Sequence, residues 1–360
     1  MVTVGGDCHK KTHTLVAVEE SGKEIACLTV TATAAGHLKC RRWAAQWDER
    51  RWALEDCRPF TRHLEKELLG AGEAVLRVSP QLMAEARRSG RQRGKSDPID
   101  ARAVARAALR EPDLPIAQLD GPSREVKLLL DHHDDLVAER TRKENRLREH
   151  LFELNPEFEI PAGALSRLVW LRRVKSRLAS RRGPVAMLAR DLTNSVHALS
   201  VSIRALEREL EQRVRALLPN LLALAGCGVL SAARILAETA DVTRFHSKAA
   251  FARFNGTAPI PVWSGNTKHF RLNRGGNRQL NAALHRIAMT QIRMEGSPGH
   301  AYYQRRLADH DQPRDARRAL KRQLSDEAFR RLLRDHSAAP QTVSEICDET
   351  NLIRHETVTK

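Results

Sequence analysis

The chain begins with Val2-Thr3-Val4-Gly5-Gly6-Asp7, an apolar run that ends in an acid and that decides the fold class of the first third of the sequence. Two more strand-like runs follow at residues 13–18 and Glu24–Thr31, with the turn signal Ser21-Gly22-Lys23 between them. Apolar runs of this length, separated by turn residues, are typical of β-strands. The three runs therefore predict an antiparallel meander in which Asp7 lies at the end of the first strand.

Two further strands are predicted, each preceded by a helical pattern. The fourth strand covers residues 51–54 and ends in Glu55, and the fifth covers residues 74–78. Residues 1–112 therefore predict an α/β domain. Asp7 and Glu55 at its strand ends, with the acid pair Asp97 and Asp100 that follows, fit a ribonuclease-H-like core. In that fold the first and fourth strands are neighbours, which would bring Asp7 and Glu55 together.

Two more acids, Asp97 and Asp100, open the next predicted helix. Helix capping accounts for them by itself, with Asp97 as the N-cap and Pro98 as the first helical residue. A metal site uses the same geometry, because residues three apart share a helix face. Carboxylates are the ligands of hard cations such as Mg²⁺, which stabilise the attacking and leaving oxygens of phosphoryl transfer. We therefore predict a metal site made of four acids: Asp7, Glu55, Asp97 and Asp100.

The composition indicates a nucleic acid as the partner. The 360 residues include 61 Lys and Arg against 44 Asp and Glu, a formal net charge of +17. Such an excess favours binding to a polyanion. A membrane partner is not expected, because no apolar stretch approaches the roughly 20 residues of a spanning helix. The N-terminus lacks a signal-peptide pattern and the six cysteines form no C-x-x-C pair, so we expect a cytoplasmic protein with reduced thiols.

Residues 121–218 predict a helical coiled-coil region, because strand-like runs are almost absent. A heptad seam steps alternately by four and three residues through Leu192, Val196, Leu199, Ile203, Leu206 and Leu210. The seam fits an antiparallel hairpin within one chain or an intermolecular coiled coil, since periodicity alone does not separate the two. Between two helical stripes lies a basic stretch that we expect to bind nucleic acid through Arg172, Arg173, Arg181 and Arg182.

Residues 219–335 predict a third, mostly helical domain. Its turn Gly226-Cys227-Gly228 resembles a helix-hairpin-helix element, whose backbone N–H groups can approach a phosphate. A loop over residues 255–276 carries Ser264 in a Ser-Gly turn. In or just after this loop are the basic residues that we expect to contact nucleic acid: Lys268, Arg271, Arg274 and Arg278. Residues 336–360 have little apolar content and predict a disordered tail.

Three parts of the sequence resemble the DEDD-type transposases of insertion-sequence elements, relatives of the Piv DNA invertase. The first is Gly5-Gly6-Asp7-Cys8-His9-Lys10-Lys11-Thr12-His13, and the second is Gly94-Lys95-Ser96-Asp97-Pro98-Ile99-Asp100-Ala101. The third is an ordered series: Ala225-Gly226-Cys227-Gly228, Ala258-Pro259, Ser264-Gly265, Arg274-Gly275-Gly276-Asn277, Tyr302-Tyr303 and Arg318-Ala319-Leu320-Lys321-Arg322. The resemblance covers residues 2–335. Gly6 and Asp56-Cys57 depart from the family pattern, which usually has an apolar residue at the first position and often has small residues at the second.

The resemblance implies a RuvC-like N-terminal domain, a coiled-coil middle and a C-terminal transposase domain. It implies that the four acids hold Mg²⁺ and that Ser264 is a nucleophile that joins covalently to DNA. It also implies a structured guide RNA from the same element, pairing with target and donor double-stranded DNA. The enzyme would be a homo-oligomer, a dimer or a tetramer, acting on the bacterial nucleoid with acids and serine from different subunits. Two alternatives stay open: a junction-resolving metal nuclease in which water attacks, and a domesticated, non-catalytic nucleic-acid-binding protein.

Overall fold

The chain divides into two compact units, Met1–Asp120 and Gly121–Lys360. The computed structural model describes residues 1–56, 58–88, 96–111, 114, 116–117, 121–265, 267–273 and 275–338. Arg274 of the predicted basic set and residues 339–360 of the predicted tail lie outside the described residues. Among the described residues, no helix is both long and apolar enough to cross a membrane.

The first unit is a five-stranded mixed sheet with helices. The strands, in the spatial order β3-β2-β1-β4-β5, are β1 (Val2–Cys8), β2 (Thr12–Val18), β3 (Glu24–Thr31), β4 (Arg50–Glu55) and β5 (Val75–Val78). The first three strands pair antiparallel, whereas β4 runs parallel to β1 and β5 runs parallel to β4. The predicted meander and the predicted neighbourhood of the first and fourth strands are both confirmed. The helices are α1 (Ala34–Ala44), α2 (Arg58–Gly70), α3 (Pro80–Arg88) and α4 (Asp97–Arg110).

Helix α4 lies unusually close to strand β1, and Gly5 makes that approach possible. A Cβ atom at Gly5 would lie 2.2 Å from the carbonyl oxygen of Ala101 and 2.6 Å from the backbone nitrogen of Ala105. Successive side chains of a strand point to opposite faces, so Gly5 and Asp7 share the face that α4 covers. Gly6 faces the apolar core on the other side of the sheet, against Leu54.

The second unit is mostly helical. Its helices are α5 (Pro122–Leu154), α6 (Leu168–Ala179), α7 (Pro184–Leu217), α8 (Pro219–Leu222), α9 (Val229–Thr239), α10 (Lys248–Phe254), α11 (Arg278–Arg293), α12 (Pro298–Ala308) and α13 (Pro313–Ala338). Helices α5 and α7 form an antiparallel hairpin, since Glu125 near the start of α5 pairs with Arg213 near the end of α7. At the opposite end, Leu147 shares a cluster with Ala189. The intrachain form of the predicted hairpin is therefore present.

The buried stripe of α7 differs in part from the predicted heptad seam. The predicted residues that are buried are Val196, Ile203 and Leu210. Thr193 and Ser200 are buried in place of the adjacent Leu192 and Leu199, which are only half-buried, and Leu206 is half-buried as well. Thr193 tolerates burial because its hydroxyl donates to the Ala189 carbonyl at 2.7 Å. Small hydroxyl residues thus fill seam positions that an apolar pattern assigns to leucine.

One core joins the hairpin to the C-terminal helices. Leu130 of α5 and Leu210 of α7 belong to the same buried cluster as Phe251, Leu284 and Leu324. Helices on both sides of residue 218 therefore pack together. The separation of domains between residues 218 and 219 stays a prediction.

Two expectations for this unit are corrected. The predicted loop over residues 255–276 contains an antiparallel ribbon, β6 (Ile260–Ser264) and β7 (Thr267–Arg271). Proline is disfavoured inside sheets, but Pro261 is tolerated in β6 because both strands of a two-stranded ribbon are edges. Helix α13 continues to Ala338, so residues 336–338 of the predicted tail are helical.

Candidate active site

Asp7 and Glu55 lie at one edge of the first unit's sheet. Strands β1 and β4 are parallel, with Gly6 paired to Leu54, so the two acids follow at the next position of each strand. The Asp7 side chain is only 7 % exposed, and Glu55 is half-buried. The carboxyl ends of these strands thus bring two acids to one place on the sheet edge.

The N-terminus of α4 adds Asp97 and Asp100. The N-cap is Ser96, and its side chain makes no capping hydrogen bond, so the prediction that Asp97 is the N-cap is wrong. Asp97 is instead the first helical residue and half of its side chain is exposed. Asp100 is buried and accepts a hydrogen bond at 3.1 Å from Nη1 of Arg87. Capping by a side chain therefore does not explain Asp97.

His9 lies between two of these acids and was not identified as a site residue from the sequence. Its Nε2 atom is 3.1 Å from Oδ2 of Asp7 and 3.6 Å from Oδ1 of Asp97. His9 follows Asp7 by two residues, on the turn between β1 and β2. Arg87, on α3, is a second residue that the sequence analysis did not single out. His9 could have been identified from the sequence, because it lies in the same motif as Asp7. No sequence pattern pointed to Arg87.

The pKa of Asp7 depends on the charges of the three other predicted acids. Burial raises the pKa of Asp7, and His9 opposes that rise, while the charges of Asp100, Asp97 and Glu55 raise it further. All three other predicted acids are therefore close enough to disfavour a charge on Asp7. The arrangement concentrates negative charge on oxygen donors, which fits a divalent cation such as Mg²⁺ or Mn²⁺.

His13 forms a buried pair with His37. Its side chain is buried on β2, and its Nε2 lies 3.2 Å from Nε2 of His37. Nδ1 of His37 lies 3.0 Å from Oε1 of Glu67. Burial and the adjacent His37 lower the pKa of His13 to about 4. The pair supports the sheet and α1 and takes no part in the acidic site.

Ser264 is the last residue of β6, in the second unit. It pairs with Thr267, and Gly265 takes a positive φ of 57° in the turn that follows. The side chains of Ser264 and Lys268 lie outside the described residues. The ribbon carries exposed aromatic side chains at Trp263 and Phe270. Ser264 therefore lies at the tip of an exposed ribbon, in the other compact unit from the acids.

The base of the ribbon is held by a buried asparagine. Nδ2 of Asn255 donates to Oγ of Ser325 at 2.7 Å, and Nδ2 of Asn281 donates to the Asn255 carbonyl at 2.8 Å. Gly256 and Gly276 approach so closely that a Cβ on Gly276 would lie 2.4 Å from the Cα of Gly256. Both ends of the segment that carries the ribbon are thus fixed to the helical core.

The predicted basic residues that the structure describes are on the surface. The exposed ones are Arg172, Arg173, Arg181, Arg182, Arg271 and Arg278. The guanidinium of Arg173 lies over the Trp170 ring, 5.0 Å from its centroid. Cationic groups on α6 and on the ribbon are therefore available to a polyanion.

The predicted helix-hairpin-helix-like turn joins α8 to α9. Gly226 takes a positive φ of 74°, and Gly228 is the N-cap of α9. The turn lines an open cleft of about 800 Å³ together with Arg286 and Arg293 of α11. The first N–H groups of α9 and these two cations face the same region of the surface.

Two family models match the chain. One, a DEDD-type transposase model of the IS110 group, matches residues 4–156. The other, described as transposase IS116/IS110/IS902 family, matches residues 218–304. The first match includes all four acids, and the second includes Ser264.

Relatives from insertion elements extend over most of the chain. An insertion element IS116 44.8 kDa protein of Streptomyces clavuligerus is 27 % identical over 84 % of this chain and 87 % of its own length. An insertion element IS900 42 kDa protein of Mycobacterium paratuberculosis is 26 % identical over 93 % of this chain and 96 % of its own length. A probable family 20 transposase of Pseudomonas aeruginosa is 24 % identical over 71 % of this chain and 78 % of its own length.

Among solved structures, T. thermophilus RuvC in complex with a Holliday junction substrate aligns with a TM-score of 0.26 and 13 % identity. The alignment covers 32 % of this chain and 99 % of that one. The family matches at both ends of the chain and the long alignments with insertion-element proteins agree with each other. The chain therefore belongs to the DEDD-type transposases of insertion-sequence elements, the IS116/IS110/IS902 family, whose function is DNA transposition.

Proposed function

We propose that this protein is a DNA recombinase with a ribonuclease-H-like metal site and a serine nucleophile. The observation that carries the proposal is the surroundings of Asp7. This buried carboxylate feels the charges of Glu55, Asp97 and Asp100, which come from a neighbouring strand and from the N-terminus of α4. The strand order β3-β2-β1-β4-β5 supports the ribonuclease-H-like assignment, because it puts the two acid-bearing strands side by side.

Four carboxylates would hold Mg²⁺. When bound, the metal polarises the scissile phosphate and stabilises charge on the attacking and leaving oxygens. The protein's own contribution is to hold the ligands rigidly. Asp7 is fixed by burial in the sheet, and Asp100 is fixed by its hydrogen bond from Arg87. Rigid donors lose little freedom on binding a cation and the phosphate beside it.

Ser264 is the proposed nucleophile. Its Oγ would attack the scissile phosphorus, forming a serine–phosphorus ester while the bond from phosphorus to the leaving deoxyribose oxygen breaks. The serine proton goes to solvent or to a neighbouring base, and the leaving oxygen is released as a hydroxyl. Attack by a second DNA hydroxyl reverses the step, so strands are exchanged without ATP. The resemblance to the family and the position of Ser264 at the end of β6, beside the ribbon turn, support this role.

The partners follow from charge and from the family resemblance. A net charge of +17 favours target and donor DNA together with a structured guide RNA from the same element. The family resemblance implies a composite site in a homo-oligomer, with the acids and the serine supplied by different subunits. The reaction would take place on the nucleoid, in the bacterial cytoplasm.

Replacing the acids tests the metal site. Asp7→Asn and Glu55→Gln should each lower Mg²⁺-dependent strand cleavage by orders of magnitude and change DNA binding little, because each removes a ligand charge. Asp48→Asn, at an exposed acid of the same unit, is the matched control and should cleave like the wild type. Cleavage by Asp7→Asn at the wild-type rate would refute the proposed site. Absence of cleavage by the wild type under all metal conditions would favour the non-catalytic binding protein.

A further inference from the structure

His9 lies among the oxygen donors of the candidate metal site without being one of the four acids. Among the residues that the structure describes, Asp7, His9 and Asp97 form a group whose ligand atoms all lie within 4.8 Å of one another. About half of the His9 side chain is exposed. The imidazole is therefore reachable from solvent, and its Nε2 lies within ion-pair distance of both carboxylates.

The distances match a shared coordination shell. In an octahedral shell with bonds of about 2.1 Å, adjacent ligand atoms lie about 3 Å apart. Nε2 of His9 is 3.1 Å from Oδ2 of Asp7 and 3.6 Å from Oδ1 of Asp97. Both distances from Nε2 are thus close to the spacing of adjacent ligands, and the ligand oxygens of Asp7 and Asp97 lie within 4.8 Å of each other.

We propose that His9 is a metal ligand, through Nε2, beside Asp7 and Asp97. The inference rests on the proposed function of the acids as metal ligands. It gives the site one nitrogen and several oxygen donors, instead of oxygen donors alone. Imidazole suits transition metals, whereas Mg²⁺ prefers oxygen. His9 therefore favours Mn²⁺ over Mg²⁺ at this site, compared with a site built from the carboxylates alone.

The test is electron spin echo spectroscopy of Mn²⁺ bound to the full-length protein. A directly bonded imidazole nitrogen gives ¹⁴N modulation, which we expect in the wild type and not in His9→Ala. Mn²⁺ affinity should fall on the order of tenfold in His9→Ala, and Mg²⁺ affinity should fall less. The matched control is His63→Ala, at an exposed histidine on α2 of the same unit, which should keep both the modulation and the affinity.

The outcomes separate this inference from the proposed function. If Asp7→Asn leaves Mn²⁺ affinity unchanged, the carboxylate site itself is refuted. If Asp7→Asn weakens Mn²⁺ binding but the wild type lacks ¹⁴N modulation, or His9→Ala retains it, His9 only hydrogen-bonds to Asp7 and the inference is overturned. Should His9→Ala lose its fold by circular dichroism, His9→Gln takes its place, and the wild-type spectrum alone still decides whether nitrogen is bound.

Discussion

The close approach of α4 to β1 at Gly5 predicts that Gly5→Ala damages the site without touching an acid. The added Cβ would lie 2.2 Å from the Ala101 carbonyl oxygen, where ordinary contact begins at 3.4 Å. The obstructing atoms belong to the helix backbone and cannot rotate away. Helix α4 therefore has to move outward by about 1 Å, or the strand has to bend by as much. That movement carries Asp97 and Asp100 away from Asp7.

The size of the effect follows from this displacement. Overpacking of this kind costs about 1–3 kcal/mol of stability, which a domain of ordinary stability survives. Misplacing positioned groups by about 1 Å costs on the order of 100-fold in rate. We therefore expect Gly5→Ala to fold, with a lowered melting temperature, and to lose on the order of 100-fold in metal-dependent cleavage.

The neighbouring glycine supplies the control. A Cβ at Gly6 would meet Cδ2 of Leu54 at 2.6 Å and Cδ2 of Leu15 at 3.1 Å, and both atoms are ends of flexible side chains on the opposite face. Gly6→Ala should therefore destabilise the unit while cleavage changes little at a temperature where both variants are folded. Wild-type cleavage by Gly5→Ala, or an equal loss in Gly6→Ala, would refute the role assigned to the approach of α4.

Three further predictions concern stability and binding. Burial lowers the pKa of His13 from its ordinary value of 6.5 to about 4 in the folded protein, so folding favours the neutral form. The free energy of unfolding is therefore highest above pH 6.5 and falls by about 3 kcal/mol by pH 4. Urea unfolding should show this loss, and His13→Gln should remove it. Affinity for duplex DNA should fall with salt at a log–log slope of about −0.9 per phosphate neutralised, and Arg172→Ala with Arg173→Ala should make the measured slope shallower; a flat salt dependence would contradict the electrostatic account. Asn255→Ala should cost about 1–3 kcal/mol in thermal unfolding, because buried partners lose their hydrogen bonds, whereas a negligible shift would show that the ribbon base is held by other contacts.

The sheet of the first unit was predictable because each strand is a short apolar run that ends in a turn or an acid. Strand order then placed Asp7 beside Glu55, since parallel neighbours end at the same sheet edge. The helix pattern after Ser96 likewise identified Asp97 and Asp100. These features depend on local sequence and on the strand order of the ribonuclease-H-like fold, in which the first and fourth strands are neighbours.

Features that depend on tertiary contacts were not predictable in the same way. Burial of His13 requires His37 and Glu67, which come from two helices remote in sequence. The segment that carries Ser264 was assigned to a loop because it is rich in glycine and proline, including Pro261, and these residues are typical of loops. The N-cap was placed one residue too late, because Ser96 and Asp97 are both good capping residues.

The central claim is that a metal ion at the acidic site and the nucleophile Ser264 together cut and rejoin DNA. Trapping the protein covalently on DNA tests this claim most directly. Wild-type protein is incubated with labelled substrate DNA, guide RNA and Mg²⁺, and the products are separated by denaturing electrophoresis. The account predicts a slow-migrating, protease-sensitive adduct that requires Mg²⁺ and disappears in both Ser264→Ala and Asp7→Asn. Cleavage of the DNA by Ser264→Ala without any adduct would contradict the account and identify water as the nucleophile.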